Sequence, residues 1–139
     1  MPGLSSEPSH PLGYRFGNVV QEFYHDDDCD EELRASLEQH LGQPLMDEEF
    51  GDLADGALIW WRAEDSAEED LADLLVDALA NLDNGGLVWV LTPKSGRPGH
   101  VPPADVEAAA TTAGLHSTSA ISAGPDWSGI RLIARGRMT

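Results

Sequence analysis

Gly85 to His100, GGLVWVLTPKSGRPGH, is the stretch whose reading decides the fold. The glycine pair releases the chain from a preceding helix. Leu87–Thr92 is an almost unbroken apolar run, which is what burial on both faces of a parallel sheet demands. The run ends in a polar loop with two cations, a histidine, two glycines and two prolines. Helix, buried strand and long polar crossover together are the grammar of a layered α/β sheet.

Working outward, Ser66-Ala-Glu-Glu69 fits a capping box. The helix it opens sets Leu71, Leu74, Leu75, Ala78, Leu79 and Leu82 on one face and ends at Asn84-Gly85-Gly86. Before it, Gly56–Trp61 (GALIWW) is a second continuously apolar strand, with Trp60 and Trp61 sent to opposite faces. Asn18–Tyr24 (NVVQEFY) reads as the first strand. It runs into HDDDCDEE, whose aspartates can cap a helix carrying Leu33, Leu37 and Leu41, with Gly42 as its stop. Gln43–Met46 is a short second strand. After the central strand, Val101-Pro-Pro-Ala-Asp-Val opens a small helix that Gly114 ends. His116–Ala123 and Gly129–Arg135 form an antiparallel hairpin around GPDWS.

The order is therefore βα(β)βαβαββ. It predicts a small single-domain Rossmann-like α/β protein, a three-layer sandwich whose mostly parallel sheet closes with a C-terminal antiparallel hairpin. Residues 1–13 read as a disordered tail and residues 14–137 as the domain. The tail lacks the basic and apolar regions of a signal peptide, and no apolar run nears the roughly 18 residues of a membrane span. Cys29 is the single cysteine, which fits a reducing compartment. A cytoplasmic protein is expected.

The net charge is −17, and it is unevenly spread. Residues 1–84 hold 22 of 25 acidic groups and 3 of 8 basic ones, whereas residues 85–139 carry a small positive excess that includes Arg131, Arg135 and Arg137. Phosphates would be repelled by the acidic half, so direct nucleic-acid binding is excluded there. An acidic face suits a basic protein partner.

In open α/β sheets ligands collect outside the carboxyl ends of the strands, where HDDDCD after the first strand, RAED after the double tryptophan and TPKSGRPGH after the central strand arrive. Thr92, Lys94, Gly96, Arg97, Gly99 and His100 arrive there as an anion or phosphate cradle, although their spacing is neither a P-loop nor a dinucleotide fingerprint. Asp26, Asp27 and Asp28 are candidates for holding a partner, and Trp127, in a turn with no obvious core to enter, is a lid over the strand ends or a partner anchor, with simple packing as the alternative. The acidic loop lacks the spacing of a calcium site. The five histidines are scattered without HExxH or triad order, so no catalytic residue and no metal ligand is assigned.

VVQEF…DDDCDEELR, the double tryptophan, LDNGGLVWVLTPKSGRPGHV and TSAISAGPDWSGIRL together resemble the DUF3052 family of uncharacterised actinobacterial proteins, over residues 13–135. That resemblance implies a cytoplasmic protein and adds no catalytic residue. The second half is also similar to the closing part of a class I methyltransferase, with its helix, GG, apolar strand, helix and hairpin. In such an enzyme a glycine-rich turn after the first strand approaches the carboxypropyl group of S-adenosylmethionine. Here HDDDCDEE puts six carboxylates and no glycine in that place.

Three readings follow. The one carried forward is a regulatory or adaptor protein, without catalysis or cofactor, that binds another protein. The others are a small anion- or nucleotide-binding module using TPKSGRPGH, and a degenerate S-adenosylmethionine-dependent methyltransferase.

Overall fold

A computed structural model describes residues 10–134. Strand β1 (Val20–Phe23) leads to helix α1 (Glu31–Leu41), and β2 (Ala54–Trp60) is followed by a 3-10 helix (Ala63–Ala67) and α2 (Leu71–Ala80). Then come β3 (Leu82–Pro93), α3 (Pro103–Thr112), β4 (Leu115–Ser122) and β5 (Trp127–Ala134). The sheet order is β1-β2-β3-β5-β4. Because β3 and β4 each pair antiparallel with β5, four of the five strands point one way and β5 alone runs against them. The mostly parallel sheet and its closing hairpin are as the sequence predicts.

Alternation along the strands sorts the core into two layers. Ile59, Trp61, Val88, Val90, Ile130 and Leu132 meet Leu74, Leu75 and Ala78 of α2 and Val106 and Ala110 of α3. Leu58, Trp60, Trp89 and Leu91 meet Leu37 and Leu41 of α1 on the opposite face. Trp60 and Trp61 thus enter different layers, and helices cover both faces.

Several boundaries differ from the sequence reading. β5 begins at Trp127 and not at Gly129, because Trp127 pairs with Pro93. Asp70, with its carboxylate 3.4 Å from the Ala72 amide, caps α2, while Ser66 lies in the 3-10 helix and donates to the Ala63 carbonyl. The helix ends at Asn81, so residues 82–86 belong to β3; Leu82 pairs with Ala54, with an irregular register before Gly56 and Leu87. The short second strand shrinks to one bridge, Met46 against Gln21, on the edge of β1 away from β2.

Of residues 10–13, assigned to the tail by sequence, Pro11 and Gly13 are exposed and Leu12 turns inward. Leu12 is buried and its carbonyl accepts the Trp89 indole N–H at 2.6 Å. Tyr14 lies across the strand entries, its hydroxyl donating to the carbonyls of Ala57 (2.8 Å) and Leu87 (3.1 Å). Gly56 makes room for that ring, since a Cβ there would run into Tyr14 Cε1. No helix among the described residues is long and apolar enough to cross a membrane.

Candidate functional site

The Met46 bridge locates the switch point of the sheet. From β1 the chain passes through α1 to the outer edge of β1, then returns to the other side as β2. A ligand crevice in such a sheet lies outside the carboxyl ends of the two strands where the direction reverses. Here those ends are Phe23-Tyr24 and Trp60-Trp61-Arg62.

Arg62 fills that crevice. It is 6% exposed, and its Nε and Nη2 both donate to the Asp28 carboxylate in the bidentate fork that suits a guanidinium. Nη1 donates to the carbonyls of Tyr24 (3.0 Å) and Trp60 (3.1 Å) and reaches Asp65 Oδ2 at 3.3 Å. Nη2 also meets Cys29 Sγ at 3.4 Å. Burial opposes the Arg62 charge, but the Asp28 carboxylate more than offsets it, and the pKa rises above the ordinary value. Hydrogen bonding to Arg62 holds the Asp28 carboxyl below its usual range. Burial pushes the Cys29 thiol up to about 11, which makes it inert at neutral pH.

Trp127 closes the crevice from the start of β5. Its ring centroid is 5.3 Å from Arg62 Cζ and 4.8 Å from that of Trp60 in an edge-on contact, and its N–H donates to the Asp28 carbonyl. Of the roles the sequence allows it, lid over the strand ends, partner anchor or simple packing, Trp127 is placed as a lid: it is 3% exposed, too buried for an anchor, because it folds inward over the strand ends. Asp28 is committed to Arg62. Asp26 and Asp27 remain at the surface.

The turn after β1 is occupied as well. Tyr24 adopts φ 63°, the left-handed region a glycine would take without steric cost. Its N–H donates to Glu48 Oε2 at 2.6 Å and its hydroxyl to Glu69 Oε1 at 2.7 Å. In dinucleotide-binding sheets an acidic residue about 20 positions after the glycine turn receives the ribose hydroxyls. Glu48 stands in that region of the chain but is engaged by the protein's own backbone. Beside it, Glu22 takes a two-pronged bond from Arg34 (2.6 and 2.7 Å) and the Trp60 indole N–H (2.8 Å). These residues do not fit S-adenosylmethionine: an opening of about 450 Å³ remains beside Glu22, His25, Arg34 and Glu48, but the amide and the acidic side chains that would hold the cofactor there are engaged by the protein itself.

The TPKSGRPGH residues do not form one cradle. Arg97 pairs with Asp126, and the Lys94 amide donates to the Asp126 carbonyl at 2.9 Å. Gly96 and Gly99 adopt positive φ to turn the loop, and the Gly99 carbonyl accepts from Ala63, which seats the loop against the Arg62 segment. Thr92 is buried at the end of β3. With His100, whose Nδ1 lies 2.9 Å from the Pro93 carbonyl, it lines a side cavity of about 300 Å³ that neither Lys94 nor Arg97 lines. Arg131 lies at the opposite end of the sheet beside Tyr14, while Arg135 and Arg137 fall outside the described residues. Among the described residues no group of three or more His, Cys, Asp or Glu side chains is arranged to hold a metal ion.

The sequence brings Arg62 to the strand ends as the first residue of RAED but assigns it no role there. Its signal was present: it is one of 3 cations among 22 acidic groups in residues 1–84, and it directly follows a buried strand.

Residues 9–136 match the family described as "Protein of unknown function (DUF3052)". The chain belongs to the DUF3052 family. Its relatives include the uncharacterised proteins Rv2239c of Mycobacterium tuberculosis and Mb2263c of Mycobacterium bovis. Each is 42% identical over 129 residues, spanning 93% of this chain and 79% of the relative. Among solved structures, this DUF3052 fold is similar to a putative methyltransferase from Thermoplasma acidophilum, with TM-score 0.61 and 8% identity over 91% of this chain and 72% of that one. A SAM-dependent methyltransferase from Aquifex aeolicus gives TM-score 0.55 and 13% identity over 89% and 86%. At such identities the likeness is one of fold.

Proposed function

We propose that this DUF3052 protein is a non-enzymatic, cytoplasmic regulatory or adaptor protein that binds another protein on a Rossmann-like scaffold. The observation that carries the reading is Arg62, which seals the crevice at the switch point by joining Asp28, Tyr24, Trp60 and Trp127. A mouth closed by a buried guanidinium bonded to its surroundings opens only by breaking those bonds, at a cost a cofactor would have to offset. The surplus of carboxylates around the same end favours a basic protein and repels phosphate and carboxylate ligands.

Calorimetric titration of the full chain with S-adenosylmethionine and S-adenosylhomocysteine, together with a melting curve in each, tests this. No saturable heat and no rise in Tm are expected. Saturable binding of either, with a Tm that climbs with concentration, would overturn it.

A further inference from the structure

A second opening lies on the other face of the sheet, between the start of α2 and one side of α3. It is a groove of about 430 Å³. Trp61, Leu71 and Val101 line it, each 6% exposed or less, and Ala109 on α3 is too small to fill it. Asp70 and Asp105 stand at its rim, exposed, and neither pairs with a cation among the described residues.

The tryptophans supply the second observation. Trp60 donates its indole N–H to Glu22, Trp89 to the Leu12 carbonyl and Trp127 to the Asp28 carbonyl. Trp61 is equally buried, yet its N–H has no acceptor among the described residues. Among the described residues no buried side-chain nitrogen or oxygen is both sealed off and unpaired, so this N–H keeps contact with solvent, and Trp61 is one of the residues that line the groove. A donor that water reaches, and that no protein group occupies, can exchange that water for an acceptor on a docked chain.

We propose that this groove takes a lysine- or arginine-bearing segment of another protein. The aliphatic stem of the basic side chain lies along Trp61 and Val101, its cation meets Asp70 and Asp105, and a main-chain carbonyl of the segment accepts the Trp61 N–H. Aromatic surface beside carboxylates suits a cation with an apolar stem. A nucleotide or an anionic lipid headgroup would face those carboxylates, and a second copy of the chain would bring another −17 charges. The proposal rests on the partner-binding reading above and names where the partner sits.

The probe is a fluorescein-labelled peptide of repeating Leu-Arg-Gly, with a glutamate-for-arginine control, followed by anisotropy and by the tryptophan indole N–H resonances of the full chain. The basic peptide binds, the acidic control does not, and the Trp61 resonance moves while those of Trp60, Trp89 and Trp127 stay. Asp70→Asn combined with Asp105→Asn keeps a good helix cap and weakens binding by about tenfold, as two partly desolvated ion pairs imply. Trp61→Phe keeps the ring, loses the donor and weakens binding by about three- to fivefold. Asp26→Asn with Asp27→Asn removes the same charge elsewhere and changes affinity by less than about twofold. Equal losses from both aspartate pairs, a stationary Trp61 resonance, or no binding of the basic peptide would each overturn the groove assignment. The S-adenosylmethionine titration is independent of all three and would still decide the broader reading.

Discussion

Arg62→Met tests the central contact most directly. Methionine keeps most of the stem's packing and removes the guanidinium. The Trp60 carbonyl then loses its bond from a buried donor, and the Tyr24 carbonyl loses a partly buried one. An acceptor stranded in the interior costs about 1–3 kcal/mol, with the lower half applying where the backbone can relax toward water. The Asp28 side chain is 55% exposed, so its carboxylate rehydrates and its lost ion pair adds less than about 1 kcal/mol. Loss of the Arg62–Trp127 contact adds about 0.5–1 kcal/mol. The total is about 2–4 kcal/mol, which in a chain of this size lowers Tm by about 6–12 °C. Arg62→Lys recovers less than half of that, because a point charge cannot serve two carbonyls and both carboxylate oxygens. Thermal and urea unfolding by circular dichroism measure both variants. A Tm within about 2 °C of the parent for Arg62→Met would mean the crevice is held by something else.

The same pair sets an acid limb. Asp28 has a depressed folded-state pKa, so its contribution is fully present above the unfolded carboxyl value and is lost as pH falls through the folded one. Stability measured against pH below about 4 should therefore fall less steeply in Arg62→Met than in the parent. Gly56→Ala drives a methyl into the Tyr14 ring and the Leu87 carbonyl; a loss of about 3 kcal/mol or more is expected in urea unfolding, and a near-parental midpoint would contradict the close approach. Trp89→Phe removes the donor to the Leu12 carbonyl, so amide exchange should accelerate selectively around residues 12–14. Cys29, buried and with its thiol pushed up to about 11, should react slowly with a disulfide reagent at pH 8 and rapidly once urea unfolds the chain.

Much of the architecture is legible in the residues because the patterns are redundant. The α2 leucines repeat at helical spacing, and the β2 and β3 runs are apolar without interruption, so neither assignment rests on a single residue. Boundaries depend on competition that a linear pattern does not show. Ser66 and Asp70 are both acceptable caps, and Asp70 is the one that faces the helix amides, because the Arg62 amide and Asp65 close a 3-10 turn over Ser66. The segment 82–86 looks like a helix terminator, and its partner Ala54 draws it into the sheet. The crevice was harder. That Arg62 reaches Asp28, 34 positions away, and that Trp127 turns inward over both, follow from strand order, which no local pattern encodes. The acidic turn after β1 was recognisable as hostile to a cofactor, but not as one half of an internal ion pair.

The docking of residues 10–14 carries a consequence for how the molecule is assembled. Leu12 waits for Trp89, 77 positions later, and Tyr14 for Leu87, 73 positions later, so neither can be secured until the third strand has left the ribosome. The first part of the domain to be synthesised is among the last to be fastened, since a loop that long must close before its contacts repay the entropy. Until then the entry ends of β2 and β3 lack their aromatic cover, and a nascent chain paused before residue 87 would be open to proteases at the very segment that later seals it.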